Sequence, residues 1–162
     1  ESFHDFYPRI YFSSHGRMYT FYGNSSYKHD NPGTYLNVYN SLRPLSLEVI
    51  FNNQPDYTKT FNNLEFNTSS STAGGVDNSI PFSELEISND YQTTGIVLLS
   101  DNSNIKRRLR NWRLQVPREQ GTSNRIRGQY AKVKLTYTPT TNDRFIIHDI
   151  INSFDYSPTF RK

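Results

Sequence analysis

The chain has 162 residues and lacks cysteine, which makes one domain the default and excludes a disulfide framework, a thiolate metal site and a cysteine nucleophile. No segment approaches the roughly 20 apolar residues of a membrane-spanning helix, and no signal peptide or initiator methionine opens the chain, so we expect a fragment of a longer parent. The net charge of +3 is unevenly placed, because residues 1–105 carry 5 Lys/Arg against 11 Asp/Glu, whereas residues 106–162 carry 13 against 4.

The first predicted elements are a hairpin and a one-sided strand. Two β-prone aromatic runs flank a Ser-Ser-His-Gly turn, which predicts a β-hairpin over residues 9–23. Apolar residues alternate with polar ones over residues 45–51, which is typical of a strand with one buried face. A further strand is expected near residues 64–66, and the Ser- and Gly-rich segment 69–75 is expected to be a flexible loop.

The second half of the chain continues with short strands and turns. Extended segments are predicted at residues 81–87 and 95–99, and the apolar run 96–99 is expected to be a buried strand. Residues 131–137 alternate between apolar and polar side chains, and residues 145–151 form the last strong strand candidate.

The fold class follows from composition and spacing together. Abundant Asn, Ser and Thr with scarce Ala disfavour helices, while 12 tyrosines and 11 phenylalanines supply an aromatic core. No apolar stripe with a 3.6-residue period is sustained, so we predict an all-β fold, an antiparallel β-sandwich with an N-terminal β-hairpin and few or no helices. The predicted core contains Trp112, Leu114, Val116, Val133, Leu135, Phe145 and Ile147.

Support for catalysis or metal binding is weak. The chain has no G-x-S-x-G nucleophile elbow, and the adjacent His148 and Asp149 cannot orient each other as triad members do. Glu84 and Glu86 share a strand face, but many carboxylate pairs without a catalytic role do the same. Three His-Asp pairs lack the spacing of zinc or EF-hand sites, namely His4–Asp5, His29–Asp30 and His148–Asp149. We therefore expect no enzyme, no cofactor and no metal site.

The segment IKRRLRNWRLQVPRE, residues 105–119, places six cations around the only tryptophan. As a nucleic-acid grip, it would neutralise phosphates and stack a base on Trp112. However, Trp112 shares its predicted face with Leu114 and Val116, which favours a place in the core. Arginine pairs bidentately with carboxylates, so the basic face of one copy could instead dock the acidic face of the next copy in a ring. We favour this interface hypothesis.

Five segments carry a resemblance when they are taken in order. A Trp-Arg-x-x-x-Pro-Arg segment precedes a basic Arg-x-Arg turn and a strand, and the last strand carries His-Asp. The segments are RIYFSSHGRMYTFYG, SLEVIFNNQPDYTKTFNNLEF, NWRLQVPRE, RIRGQYAKVKLTY and DRFIIHDIINSF. Together they resemble the C-terminal region of large virion proteins from crAss-like bacteriophages, the tail muzzle or phage stabilisation protein family. The resemblance covers nearly the whole chain.

The resemblance implies a virion structural protein of a short-tailed phage, located in the tail, without catalysis or cofactor. It implies a muzzle at the distal end of the tail barrel that helps close the channel holding cargo proteins and DNA. The implied partners are copies of the chain in a ring and neighbouring tail proteins, with packaged DNA or cargo proteins as further contacts. No membrane and no small-molecule substrate is implied.

The resemblance also suggests how the chain is divided and where it makes contacts. Residues 1–25 are expected to form a hairpin that completes an upstream domain of the parent, and residues 26–162 a β-sandwich interface domain. A glycan- or receptor-binding tail-tip module, using exposed tyrosines, remains the alternative function, followed by a nucleic-acid-binding domain. The predicted interface residues are Arg107, Arg108, Arg110, Arg113, Arg118, Arg125, Arg127, His148 and Asp149.

Overall fold

A computed structural model describes residues 8–29, 33–72 and 74–157. This part of the chain contains strands and no helix, and thus no helix long and apolar enough to cross a membrane. The strands are β1 (Ile10–Ser14), β2 (Arg17–Tyr22), β3 (Ser25–Lys28), β4 (Asn37–Val38), β5 (Ser41–Leu42), β6 (Leu45–Phe51), β7 (Lys59–Thr72), β8 (Gly75–Asp77), β9 (Glu84–Ser88), β10 (Val97–Leu98), β11 (Lys106–Arg108), β12 (Asn111–Gln115), β13 (Arg127–Gly128), β14 (Ala131–Tyr137) and β15 (Arg144–Tyr156).

The strands form two main antiparallel sheets, which confirms the predicted all-β class. One sheet has the order β10-β9-β14-β6, and the other has the order β11-β12-β7-β13, with β15 and β8 also paired to β7. A single hydrophobic cluster draws its buried side chains from both sheets. The two sheets are therefore the layers of a sandwich, and β7 is the central strand of the larger one.

The core follows the alternation seen in the sequence. Along β14 every second side chain, from Ala131 to Tyr137, is buried, and Trp112 and Leu114 are buried on β12. Each fully buried large apolar side chain contributes roughly 1.5–3 kcal/mol. The predicted core is confirmed, with Phe145 and Ile147 packing against it from partly buried positions.

The segment predicted as a flexible loop at residues 69–75 is largely strand, so that prediction was wrong. β7 runs on to Thr72, and Ser69 and Ser70 are buried. Ser70 pairs with Phe145 of β15 on one side and with Asp77 of β8 on the other. Polar composition indicated a loop, but pairing on both edges satisfies the backbone groups of these serines and makes them strand.

The apolar run at residues 96–99 is also not the buried strand that was predicted. β10 is only two residues long and lies at the edge of its sheet. Ile96 and Leu98 are 70% and 68% exposed. A continuous apolar run therefore does not distinguish a buried strand from a strand at the end of a sheet. At the end of a sheet, one face of the strand and its unpaired side are in contact with solvent.

The N-terminal hairpin is present and continues into a third strand, so β1, β2 and β3 form a small separate sheet. Its turn consists of His15 and Gly16, whose φ angles of 49° and 71° are both positive, as a type I′ turn requires. Tyr39, in the segment that leads to the sandwich, stacks on Tyr22 with ring centroids 4.5 Å apart. The hairpin sheet shares no strand with the sandwich sheets.

Candidate interface surfaces

Strands β11 and β12 form a hairpin that carries most of the basic run, and we call residues 106–115 the basic hairpin. Arg108 pairs with Asn111, so Leu109 and Arg110 form the turn. Leu109 adopts a left-handed conformation with φ 57° and is 97% exposed. β11 is the end strand of its sheet, so the basic hairpin lies at the sheet edge. Its tip is the exposed Leu109, which is flanked by Arg108 and Arg110.

The cations of the basic hairpin divide into two groups. The Arg113 guanidinium forms an ion pair with Glu65, with Nε 2.9 Å from Oε2, and the Arg107 guanidinium lies 5.9 Å from the centre of the Trp112 ring. These two cations are held against the sheet. The second group consists of Lys106, Arg108 and Arg110. These three cations form no ion pair with any residue that the structure describes.

Three further arginines meet at the other end of β12, in what we call the arginine pocket. This cavity has a volume of about 480 Å³ and is lined by Gln92, Arg118, Ser123, Asn124, Arg125 and Arg127. Strand β13 brings Arg127 next to Thr60 of the central strand β7. The predicted interface arginines therefore lie in two places, separated by the length of β12.

Neutral groups on β7 hold two arginines of the pocket in place. Arg125 donates from Nη1 to the Asn62 side-chain oxygen at 3.1 Å, and Arg127 donates from Nε to the Thr60 hydroxyl at 3.3 Å. Since neither acceptor carries a charge, both guanidiniums are oriented without being neutralised. Arg125 and Arg127 therefore give the pocket a positive charge that no ion pair within the described residues compensates.

Glu119 lies beside the arginine pocket but is engaged within its own turn. Its carboxylate accepts hydrogen bonds from the Thr122 hydroxyl at 2.8 Å and from the Asn124 amide at 3.1 Å. These two hydrogen bonds, the Thr122 bond first, lower the pKa of the Glu119 carboxyl. Glu119 consequently stays charged and shapes the loop that forms one wall of the pocket.

His148 and Asp149 lie apart from both arginine groups. They are on β15, which pairs with one edge of β7 while β12 pairs with the other. His148 occupies a β-bulge between Ile147 and Asp149, and both His148 and Asp149 are exposed. The Nε2 atom of His148 is 2.8 Å from the hydroxyl oxygen of Ser69.

The Ser69–His148 contact is the nearest approach to a catalytic arrangement in the sandwich. The Ser69 side chain is buried, so a substrate would not reach its hydroxyl, and the hydrogen bond fixes the bulge instead. Within the described ranges, no three His, Asp or Glu residues are grouped as metal ligands. Of the three His-Asp pairs, His4, Asp5 and Asp30 lie outside the described residues.

The hairpin sheet presents a third surface, which we call the aromatic face. Phe12 stacks on Tyr19 with centroids 5.1 Å apart and on Phe21 at 6.0 Å. Ile10, opposite Phe21 in the register, is 60% exposed and extends the same face. The opposite face of the sheet packs on Tyr39 through Tyr22 and Tyr27, but Tyr11 on that face is 73% exposed, so both faces of the hairpin sheet expose aromatic rings.

Gln92, Thr60 and Asn62 are site residues that carry no signal in the sequence. Gln92 accepts a hydrogen bond from the Arg127 backbone at 2.7 Å and donates one to the Arg125 carbonyl at 3.3 Å. These contacts join residues 33–35 positions apart. Spacing along the chain therefore gave no reason to select them.

Two comparisons with known proteins agree with this description. The sequence pattern of the crassvirus muzzle protein C-terminal domain matches residues 33–119, which is more than half of the chain. The muzzle protein of Bacteroides phage crAss001 is 30% identical over 123 residues, which cover 74% of this chain and 9% of that protein. The chain thus spans about a tenth of the length of the relative that it matches. Both matches confirm the resemblance, and the chain belongs to the crassvirus muzzle protein C-terminal domain family.

Proposed function

We propose that the chain is an interface domain of a muzzle protein, which helps close and stabilise the distal tail barrel through contacts with neighbouring subunits. Membership of the muzzle family makes the chain part of a phage structural protein and agrees with the predicted location in the virion tail. The closing role comes from the family resemblance. The proposal needs a surface on this chain that is built to hold another protein.

The basic hairpin is the observation that carries the proposal. Leu109 at its tip is almost fully exposed, and Arg108 and Arg110 flank it without an ion pair to any described residue. Arginine is enriched at protein interfaces, and covering an exposed apolar side chain with a partner removes apolar area from water, which is favourable. A tip that combines the two fits a pocket with an acidic rim.

A neighbouring copy of the chain offers a suitable acidic rim. Residues 1–105 have an excess of acidic over basic groups, 11 against 5, and the reverse holds for residues 106–162. Glu84 and Glu86 lie on β9, in the sheet opposite the one that contains the basic hairpin. Lys134 is the register partner of Glu86, so Glu84 and Glu86 are the carboxylates that we propose for a head-to-tail contact, which closes into a ring when the rotation permits.

The test reverses two charges of the basic hairpin, Arg108→Glu together with Arg110→Glu, in a phage that carries the variant gene. We expect the variant chain to keep its melting temperature and the muzzle protein in purified particles to fall about tenfold or more, because like charges at an interface cost several kcal/mol. Quantitative mass spectrometry of the particles measures this. Arg17→Glu with Arg144→Glu, an equal change of charge elsewhere, is the control. Normal incorporation of the basic-hairpin variant contradicts the proposal.

A glycan- or receptor-binding role is the second candidate, and the aromatic face supports it. Stacked rings such as the exposed Phe12 and the partly buried Tyr19 are suited to the apolar faces of sugars. Measurable sugar affinity of the chain that disappears in Phe12→Ala and persists in Tyr91→Ala would favour this candidate. Nucleic-acid binding has less support, because Trp112 is buried and offers no ring for a base to stack on.

A further inference from the structure

The arginine pocket differs from the basic hairpin in being concave and rigidly framed. Ile126, between Arg125 and Arg127, is fully buried and anchors their backbone in the core. The Gln92 side chain bridges the same backbone, accepting from Arg127 and donating to Arg125. Arg125 and Arg127 therefore leave the core from fixed points two residues apart, on the same side of an extended segment.

The charge in the pocket is concentrated and not neutralised. Arg125 and Arg127 hydrogen-bond to the uncharged side chains of Asn62 and Thr60. Arg118, the third arginine, forms no ion pair within the described ranges. Three exposed arginines line one cavity, and each guanidinium retains N–H groups that can donate to an incoming oxygen.

The carboxylates nearest to the pocket have other partners. Glu119 accepts hydrogen bonds from Thr122 and Asn124 in the adjoining loop. Asp155 accepts from the Asn62 amide at 2.6 Å, on the far side of the same Asn62 whose oxygen accepts from Arg125. Neither Glu119 nor Asp155 forms an ion pair with the arginines of the pocket, so the guanidiniums remain open to a carboxylate of another molecule.

We propose that the arginine pocket binds the carboxylates of an acidic peptide segment, two or more adjacent Asp or Glu residues, on a neighbouring protein. This inference rests on the proposed function and names the chemistry of one partner. A planar guanidinium takes a carboxylate through two parallel N–H···O bonds, and three guanidiniums accommodate more than one carboxylate. Ser123 and Asn124 at the rim add polar groups that can hydrogen-bond to a peptide backbone.

The geometry fits a localised peptide anion better than duplex DNA. A duplex carries one charge per roughly 1.7 Å of its axis, so its ligands are cations spread along a surface. The pocket instead gathers three cations around one concavity, and none of its lining residues is aromatic. A short acidic segment that enters the cavity uses all three arginines, whereas a phosphate backbone passing over it does not.

The test measures binding of a hexaglutamate peptide to the 162-residue chain by calorimetry and by amide chemical shifts. We expect the shifts to map to Gln92, Arg118, Arg125 and Arg127, and Arg118→Gln to weaken binding at least fivefold. Within the described residues, the Arg118 side chain makes no hydrogen bond and no ion pair, so this variant is expected to keep its structure. Arg144→Gln, an equal loss of charge on β15 away from both the arginine pocket and the basic hairpin, is the matched control and changes the affinity less than twofold.

Three results overturn the inference. Equal weakening by Arg118→Gln and Arg144→Gln would mean that the peptide binds only through the overall charge of the chain. Inorganic phosphate that binds the pocket as tightly as hexaglutamate would mean a general anion site. A 20-base-pair duplex that binds there more tightly than the peptide would mean that the source is nucleic acid. None of these results bears on particle incorporation of the basic-hairpin variant, so the proposed function and this inference fail separately.

Discussion

Trp112 shows how one side chain combines core packing with an unmet polar group. Its indole is 1% exposed, and its Nε1–H has no hydrogen-bond acceptor among the described residues. A buried unsatisfied donor costs about 1–3 kcal/mol, which the packing of the large ring offsets. The Arg107 guanidinium over the ring covers it from the outer strand.

We expect Trp112→Ala to lower the free energy of unfolding by about 3–5 kcal/mol, because it removes a large buried ring and leaves a cavity. Urea denaturation followed by circular dichroism measures the change. Leu109→Ala, at the exposed tip of the basic hairpin, is the control and should change stability by less than about 0.5 kcal/mol. Unchanged stability in Trp112→Ala would show that the indole is not part of the core.

Lys59 is a buried cation whose effect on stability depends on pH. The side chain is fully buried, its Nζ donates to the backbone carbonyls of Asn53 and Gln54, and burial lowers the pKa of its amine below 10.5. Between the folded and the unfolded pKa, the unfolded chain binds more protons, so the free energy of unfolding rises with pH through this window. The contribution is complete above the unfolded pKa and is lost as pH falls through the folded pKa.

We therefore expect the chain to gain stability relative to Lys59→Met as pH rises towards 10.5. Tyrosine ionisation affects both proteins and cancels in the difference. Urea denaturation of the two proteins at a series of alkaline pH values measures this. A difference that does not vary with pH would show that the amine has the same pKa in both states.

At the scale of elements, strands that alternate along their whole length were predictable. β6, β12 and β14 were found near their observed bounds because each has one face in the core, and that face has a period of two. β7 and β15 were found only in part, although they have 14 and 13 residues. Their missed ends are polar, as in Ser69–Thr72 of β7, and long-range pairing rather than local composition makes them strand.

How much of each candidate site was predictable also depends on how far apart in the chain its contacting residues lie. The basic hairpin is built from neighbouring residues, so a run of cations in the sequence was enough to find it. The arginine pocket depends on Gln92 and Asn62, which contact arginines 33 to 63 positions away. Its arginines were predicted as interface residues, but the way they converge follows from the fold alone.

At the scale of the whole molecule, the hairpin sheet shares no strand with the sandwich sheets, and Tyr39 contacts it through Tyr22 and Tyr27. The family match begins at residue 33, after β3 has ended at Lys28. Tyr35 donates its backbone N–H to the Asn142 carbonyl at 3.1 Å, which ties the next segment to the sandwich. The division of the chain into a hairpin of an upstream domain, residues 1–25, and a sandwich domain, residues 26–162, stays a prediction.

We expect a chain that starts at residue 33 to fold into the intact sandwich, because β1–β3 supply no strand to either of its sheets. Amide hydrogen exchange should show unchanged protection in β7, β12 and β14, and the melting temperature should shift by only a few degrees, as the loss of about 1 kcal/mol would cause. The expected local change is a greater exposure of the Tyr39 ring, because the truncated chain lacks its contacts with Tyr22 and Tyr27. Loss of protection throughout β7 would show instead that the hairpin sheet is needed for the sandwich to fold, and the chain would then be a single unit.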